Sequence, residues 1–110
     1  MNTNSAGHWI EVSILKSVRR LSPDRSRKLT FGQIYMQLIQ LQTSVPSIAH
    51  CVQAVDVLVT EGLLISERVL DEHPDFPYTQ HIISGLTDIG AASLMSEEEV
   101  AAGGSMSVGA

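Results

Sequence analysis

Cysteine is almost missing from this chain: among 110 residues there is one, Cys51. A lone thiol cannot close an intramolecular disulfide, which excludes a secreted disulfide scaffold and fits a reducing compartment. Aromatic residues are few, two Phe, two Tyr and one Trp, so the core has to be built from aliphatic side chains. No stretch approaches the roughly 18 uncharged apolar residues of a membrane span. Met1 to Gly7 is polar and lacks the apolar run of a secretion signal. These absences lead us to expect a soluble, cytoplasmic protein with no membrane partner.

Basic residues are missing from most of the chain. Of seven Lys and Arg, six lie between positions 16 and 28: Lys16, Arg19, Arg20, Arg25, Arg27 and Lys28, with Asp24 the only acid among them. Outside that segment Arg68 stands alone against eleven carboxylates, and the net charge is −5. An acidic body with one basic edge argues against a protein that coats nucleic acid throughout. The edge itself suits local phosphate docking, because clustered guanidinium and ammonium groups release the counterions condensed on phosphates. A solvated helix end and loop explains the same residues without any partner.

Signatures of metal binding and catalysis are absent too. His8, His50, His73 and His81 accompany Cys51, but there is no Cys-x-x-Cys or His-x-x-x-His pair. Neighbours such as His50 and Cys51 point about 100° apart on a helix and cannot share an ion. Cys51 reads as a small core hydrophobe. Asp71, Glu72 and Asp75, and the run Glu97-Glu98-Glu99, read as solvated charge, and no Gly-rich phosphate loop is present. No cofactor, no metal and no enzymatic activity are expected.

What is there is periodic. With 44% hydrophobic and 17% charged residues, the chain has the composition of one globular domain, expected over residues 8–100 between a disordered N-terminus (1–7) and a disordered Gly- and Ser-rich tail (101–110). Ile10, Ile14, Val18 and Leu21 recur at helical spacing and predict a first helix from His8 to Leu21, with Arg19 and Arg20 complementing its C-terminal dipole. Leu21-Ser22-Pro23-Asp24 breaks it. Thr30 is a good N-cap for a second helix from Phe31 to about Gln42, with Phe31, Ile34, Leu38 and Leu41 facing inward. The run Thr43–Ser47 reads as a short turn, with Pro46 or Ser47 starting a third helix that runs to Glu61 and ends at Gly62, its buried stripe Ile48, Val52, Val55 and Leu58 or Val59. Two helices joined by a short turn form a helix-turn-helix. The period then changes: Leu63 to Leu70 reads as a strand, Asp71 to Tyr78 as an acidic loop, and Thr79 to Leu86 as the antiparallel partner strand. Thr87 caps a last helix with Asp88 in its first turn, extending through Leu94 and as far as Val100.

The segment Leu58, Glu61, Gly62, Leu63, Leu64 resembles the third-helix exit of PadR-like and MarR-like winged helix-turn-helix regulators. Leu86-Thr87-Asp88-Ile89-Gly90 with Leu94 is similar to the Leu-Thr-x-x-Gly-x-x-x-Leu signature at which those proteins leave the second wing strand. Phe31-Gly32-Gln33-Ile34 with Leu38 looks like their second-helix start, with the aromatic and the Gly in reversed order. The resemblance covers about residues 8 to 95. It implies an α+β, mostly helical fold, a winged helix-turn-helix with three helices, a two-stranded β-wing and a C-terminal helix.

The resemblance also implies transcription regulation by sequence-specific binding of double-stranded DNA. Arg19, Arg20, Arg25, Arg27 and Lys28 would anchor phosphates, Ser47, His50 and Gln53 would read the groove, and Arg68 would steady the wing. Family members dimerise through a long C-terminal extension that this chain lacks, so Trp9, Val12 and Leu15, off the core stripe of the first helix, are the candidate homodimer surface. The third helix has no Arg or Lys on its outward face, Ser47, His50, Gln53, Ala54 and Val57, and the wing tip Asp71-Glu72-His73-Pro74-Asp75 is acidic. That neutral face fits a protein partner, and the alternative expectation is a winged-helix interaction module without intrinsic DNA binding.

Overall fold

Apolar periodicity and capping fix six elements in this chain, and the computed structural model describes their backbone over residues 4–41 and 46–109. They are α1 (Asn4–Leu21), α2 (Phe31–Leu41), α3 (Ile48–Thr60), β1 (Leu64–Leu70), β2 (Gln80–Leu86) and α4 (Asp88–Gly109). The fold is α+β and mostly helical, four helices with one antiparallel two-stranded sheet. Most of the expected turn between α2 and α3 lies outside the described residues; Pro46 and Ser47 at its end are seen.

The starts of α2, α3 and α4 each have a chemical cause. At α2, Thr30 and Gln33 form a reciprocal capping box: the Thr30 amide donates to Gln33 Oε1 (2.9 Å) and the Gln33 amide to Thr30 Oγ1 (3.2 Å). Ser47 caps α3, accepting from the His50 amide at 3.1 Å. Helix α3 ends in a Schellman motif, with Gly62 N–H donating to Val59 O, Leu63 N–H to Leu58 O, and Gly62 at φ 79°. Only a residue without Cβ takes that conformation cheaply.

Thr87 then closes the base of the sheet. Its hydroxyl donates to Gly62 O and accepts from Gly90 N–H, while its own amide donates to Leu63 O. A Cβ on Gly90 would overlap the Leu63 carbonyl. The Leu-Thr-x-x-Gly spacing therefore welds the start of α4 onto the exit of α3.

Strand β2 lies between β1 and a single bridge at Leu29, whose amide and carbonyl both pair with Ile83 (2.7 and 2.9 Å). This bridge was not foreseen in the sequence, where Leu29 follows a run of charges. The β1–β2 register slips on both sides of Ser66, leaving Glu67 without a partner residue. The core gathers Ile14, Leu15 and Val18 of α1, Ile34 and Leu38 of α2, Cys51, Val55 and Leu58 of α3, and Ile83, Leu86 and Leu94.

Several expectations need correction. Leu15, placed on a candidate dimer surface, is 3% exposed and belongs to the core, and Val12 packs against that core. The reason is that α1 is enclosed by α2, α3, α4 and β2, so more than one stripe is covered. Trp9 alone of the three stands out, 52% exposed. On α3 the buried stripe is Cys51, Val55 and Leu58, while Ile48, in the first turn beyond the core's edge, is 40% exposed. Helix α1 begins at Asn4 and α4 continues to Gly109. Extending a helix that is already capped and packed adds a hydrogen bond for each residue fixed, without a new nucleus.

Candidate interaction surface

No Asp, Glu, Lys or Arg occurs between Lys28 and Asp56, so α2 and the first two turns of α3 carry no formal charge, and Asp56 is the one charged residue on the two helices. On the outward side of α3, Ser47, Ala49, His50 and Gln53 are exposed and Ala54 and Val57 half-buried. His50, Gln53, Ala54 and Val57 line a groove of about 220 Å³ together with Ile10 and Glu11 of α1. Exposed Trp9 and Ile48 lie on the same two helices. The groove is a shallow, mainly apolar trough with one carboxylate at its edge.

The acidic loop between the strands does not stand free. All four Phe and Tyr residues of the chain join in one ladder: Tyr35 stacks on Phe31 (5.6 Å between centroids), Phe31 meets Phe76 (5.6 Å), and Phe76 meets Tyr78 edge-on (5.3 Å). The turn His73–Phe76 is closed by two backbone bonds, and the Gln80 side chain accepts from the Phe31 amide. The loop carrying Asp71, Glu72 and Asp75 is thereby folded back against the N-terminal end of α2, where the helix dipole favours negative charge.

The basic residues gather elsewhere. Arg25 pairs with Asp88 at 2.7 Å and lies over Gly85, and Ser22 Oγ donates to Ser84 O. Asp88 adjoins Thr87, which bonds to Gly62. Arg25 is thereby tied to the exit of α3, and thirteen helical residues separate that exit from Ser47, a rise of about 20 Å.

Half of the cationic cluster is also already paired. Arg19 holds Glu98 through two bonds of 2.6 and 3.0 Å. The Arg19 hydrogen bonds hold the Glu98 carboxyl below its ordinary range, and Glu98 in turn raises the Arg19 guanidinium. Lys28 lies 3.6 Å from Glu67. Asp24, accepting from the Ser26 hydroxyl and amide, is held low as well. Arg20 and Arg27, with Arg68 on β1, are exposed and make no ion pair among the described residues.

One further polar chain links α3 to the sheet. Ser66 Oγ lies 2.8 Å from His81 Nδ1, and His81 Nε2 lies 3.1 Å from Asp56 Oδ1. Serine, histidine and aspartate in series resemble a nucleophile relay. Here, however, Asp56 is 65% exposed, whereas the orienting acid of such relays is buried. The chain works as a strut holding β2 to α3. It went unseen in the sequence because its members lie on three elements; only the register slip at Ser66 brings the hydroxyl to the imidazole.

Among the described residues no group of His, Cys, Asp and Glu has the arrangement of a metal site, and no helix is long and apolar enough to cross a membrane. Cys51 is 1% exposed and its thiol is pushed up to about 11 by burial, which keeps it protonated and unreactive near neutral pH. No family model, curated protein or solved structure matches the chain.

Proposed function

We propose that the chain is a winged helix-turn-helix module that acts in regulation by docking a protein against the α1–α3 face. The order of helices and strands, with Leu29 as a third strand position beside β2, supports the winged-helix assignment. The observation that carries the choice of partner is the lack of any charge between Lys28 and Asp56. Phosphate neutralisation supplies nearly all non-specific DNA affinity and a large share of specific affinity, and the surface that would enter a groove has none to offer. Depletion of charge around an apolar trough is instead the composition of a protein-contact core, with Trp9 as an aromatic anchor.

A second reading, DNA-binding transcription regulation, rests on a separate observation. Ser47, His50 and Gln53 are exposed together along α3, and Gln53 has the amide that reads adenine. Backbone amide NMR of the chain mixed with a 20-base-pair duplex at near-physiological salt, about 0.15 M, separates the two. Protein docking predicts no saturable shift at Ser47, His50 or Gln53, and loss of the cognate protein partner when Ala54→Glu closes the trough. Saturable duplex shifts centred on those three residues would instead establish the DNA reading.

A further inference from the structure

Beside the α3 face and independent of it, the structure holds a second cavity, of about 130 Å³, at the basic end of the molecule. It is lined by Arg19, Ser22, Pro23, Arg25, Leu86 and Ala91. We propose that this cavity is a binding site for a phosphate group, held between the guanidinium groups of Arg19 and Arg25.

The two arginines approach it from different elements: Arg19 from the last turn of α1, Arg25 from the loop that follows. Arg25 is held there by an unusual backbone. It is the only described non-glycine residue at positive φ, 63°, and its side chain lies against Gly85, where a Cβ would come within 2.7 Å of Arg25 Cγ. A residue kept in that conformation, over a glycine that leaves it room, is a side chain whose direction the fold has fixed. Pro23, Leu86 and Ala91 give the cavity apolar walls, which strengthens the electrostatic interactions of whatever lies between them.

What the two guanidinium groups now hold shows what they select. Each grips a carboxylate of α4: Glu98 with two bonds to Arg19, and Asp88 with one to Arg25. Planar guanidinium forks bind carboxylate and phosphate oxygens alike. The Asp88 side chain is 96% exposed, so its hold on Arg25 is that of a solvated surface pair and a phosphate displaces it readily. Arg19 lines the cavity while its two terminal nitrogens hold Glu98, so a phosphate there shares that guanidinium with Glu98. A phosphate monoester dianion bridging Arg19 and Arg25 then joins the end of α1, the loop and the start of α4, so occupancy stiffens the attachment of α4.

The same oxyanion could come from a free phosphate compound or from a nucleic-acid backbone, and the test has an arm for each. The full chain is melted in inorganic phosphate and in potassium chloride of equal ionic strength, and binding of a short duplex is followed in parallel. Phosphate is expected to raise Tm saturably, by about 5 °C at tenfold excess over Kd, with chloride without effect. Arg25→Gln should weaken phosphate binding about tenfold through loss of one charge-assisted contact. Asp88→Asn, which removes the competing carboxylate and leaves the cavity intact, should tighten it about threefold. Arg20→Ala, outside the cavity, should leave it unchanged. If the duplex alone binds and loses affinity in Arg25→Gln but not in Arg20→Ala, the phosphate source is a nucleic-acid backbone and the site stands. A phosphate response that is linear, equalled by chloride, or reduced as much by Arg20→Ala as by Arg25→Gln would overturn the proposal.

Discussion

Burial of the Cys51 sulfur has a consequence that pH can read. Its folded value is about 11, against about 8.5 for a free thiol. Between those values the unfolded chain loses the proton and the folded chain keeps it, so stability is full below about pH 8.5 and falls as pH rises toward 11. The loss should reach about 3 kcal/mol, measured by urea unfolding, and should vanish in Cys51→Ala, whose own cost is separate. A thiol reagent should modify native Cys51 only at the rate of unfolding; fast modification at neutral pH would mean the side chain is accessible. Thr87 and Gly90 make a second residue-scale contrast. Thr87→Ala removes a cap and should cost about 1 kcal/mol. Gly90→Ala drives a methyl into the Leu63 carbonyl and should cost more, about 3 kcal/mol. Equal melting temperatures for the two variants would show that the α3–α4 weld is not tight at Gly90.

At the scale of elements, the aromatic ladder decides how the strand-connecting loop behaves. Phe76 touches both Phe31 and Tyr78, so Phe76→Ala should release the loop from α2 and cost about 2 to 4 kcal/mol. Hydrogen exchange should accelerate first at residues 71–79, and uniform protection across the loop in the mutant would contradict the ladder's role. Much of the element order is readable from local chemistry: Thr30, Ser47 and Thr87 act as caps, Gly62 ends α3, and the change of period after it marks β1. Leu29 was missed because one residue of strand carries no period. The capping partner Gln33 was legible as Thr-x-x-Gln and was passed over. The faces were harder than the elements, since α1 is covered on several sides and a single stripe under-counts its core, as Leu15 shows. The candidate site was least legible. Sequence proximity gathered the six cations into one cluster, but only the fold reveals that Arg19, Arg25 and Lys28 already face carboxylates of α4 and β1.

For the whole molecule the decisive quantity is where charge lies relative to α2 and α3. Helices α2 and α3 carry one formal charge, Asp56, the strand-connecting loop is acidic and folded against α2, and Arg25 is tied through Asp88 and Thr87 to the end of α3 opposite Ser47. Such a distribution suits an apolar partner surface and opposes a polyanion laid along α3. The measurement that tests this most directly is the salt dependence of binding to a labelled duplex, followed by fluorescence anisotropy between about 50 and 200 mM salt. The account predicts no saturable binding tighter than about 10⁻⁴ M at the upper concentration, and a log-log slope no steeper than about −2, the value for two phosphate contacts. Submicromolar binding with a slope of about −5 or steeper, reduced by substitution of His50 or Gln53, would contradict it.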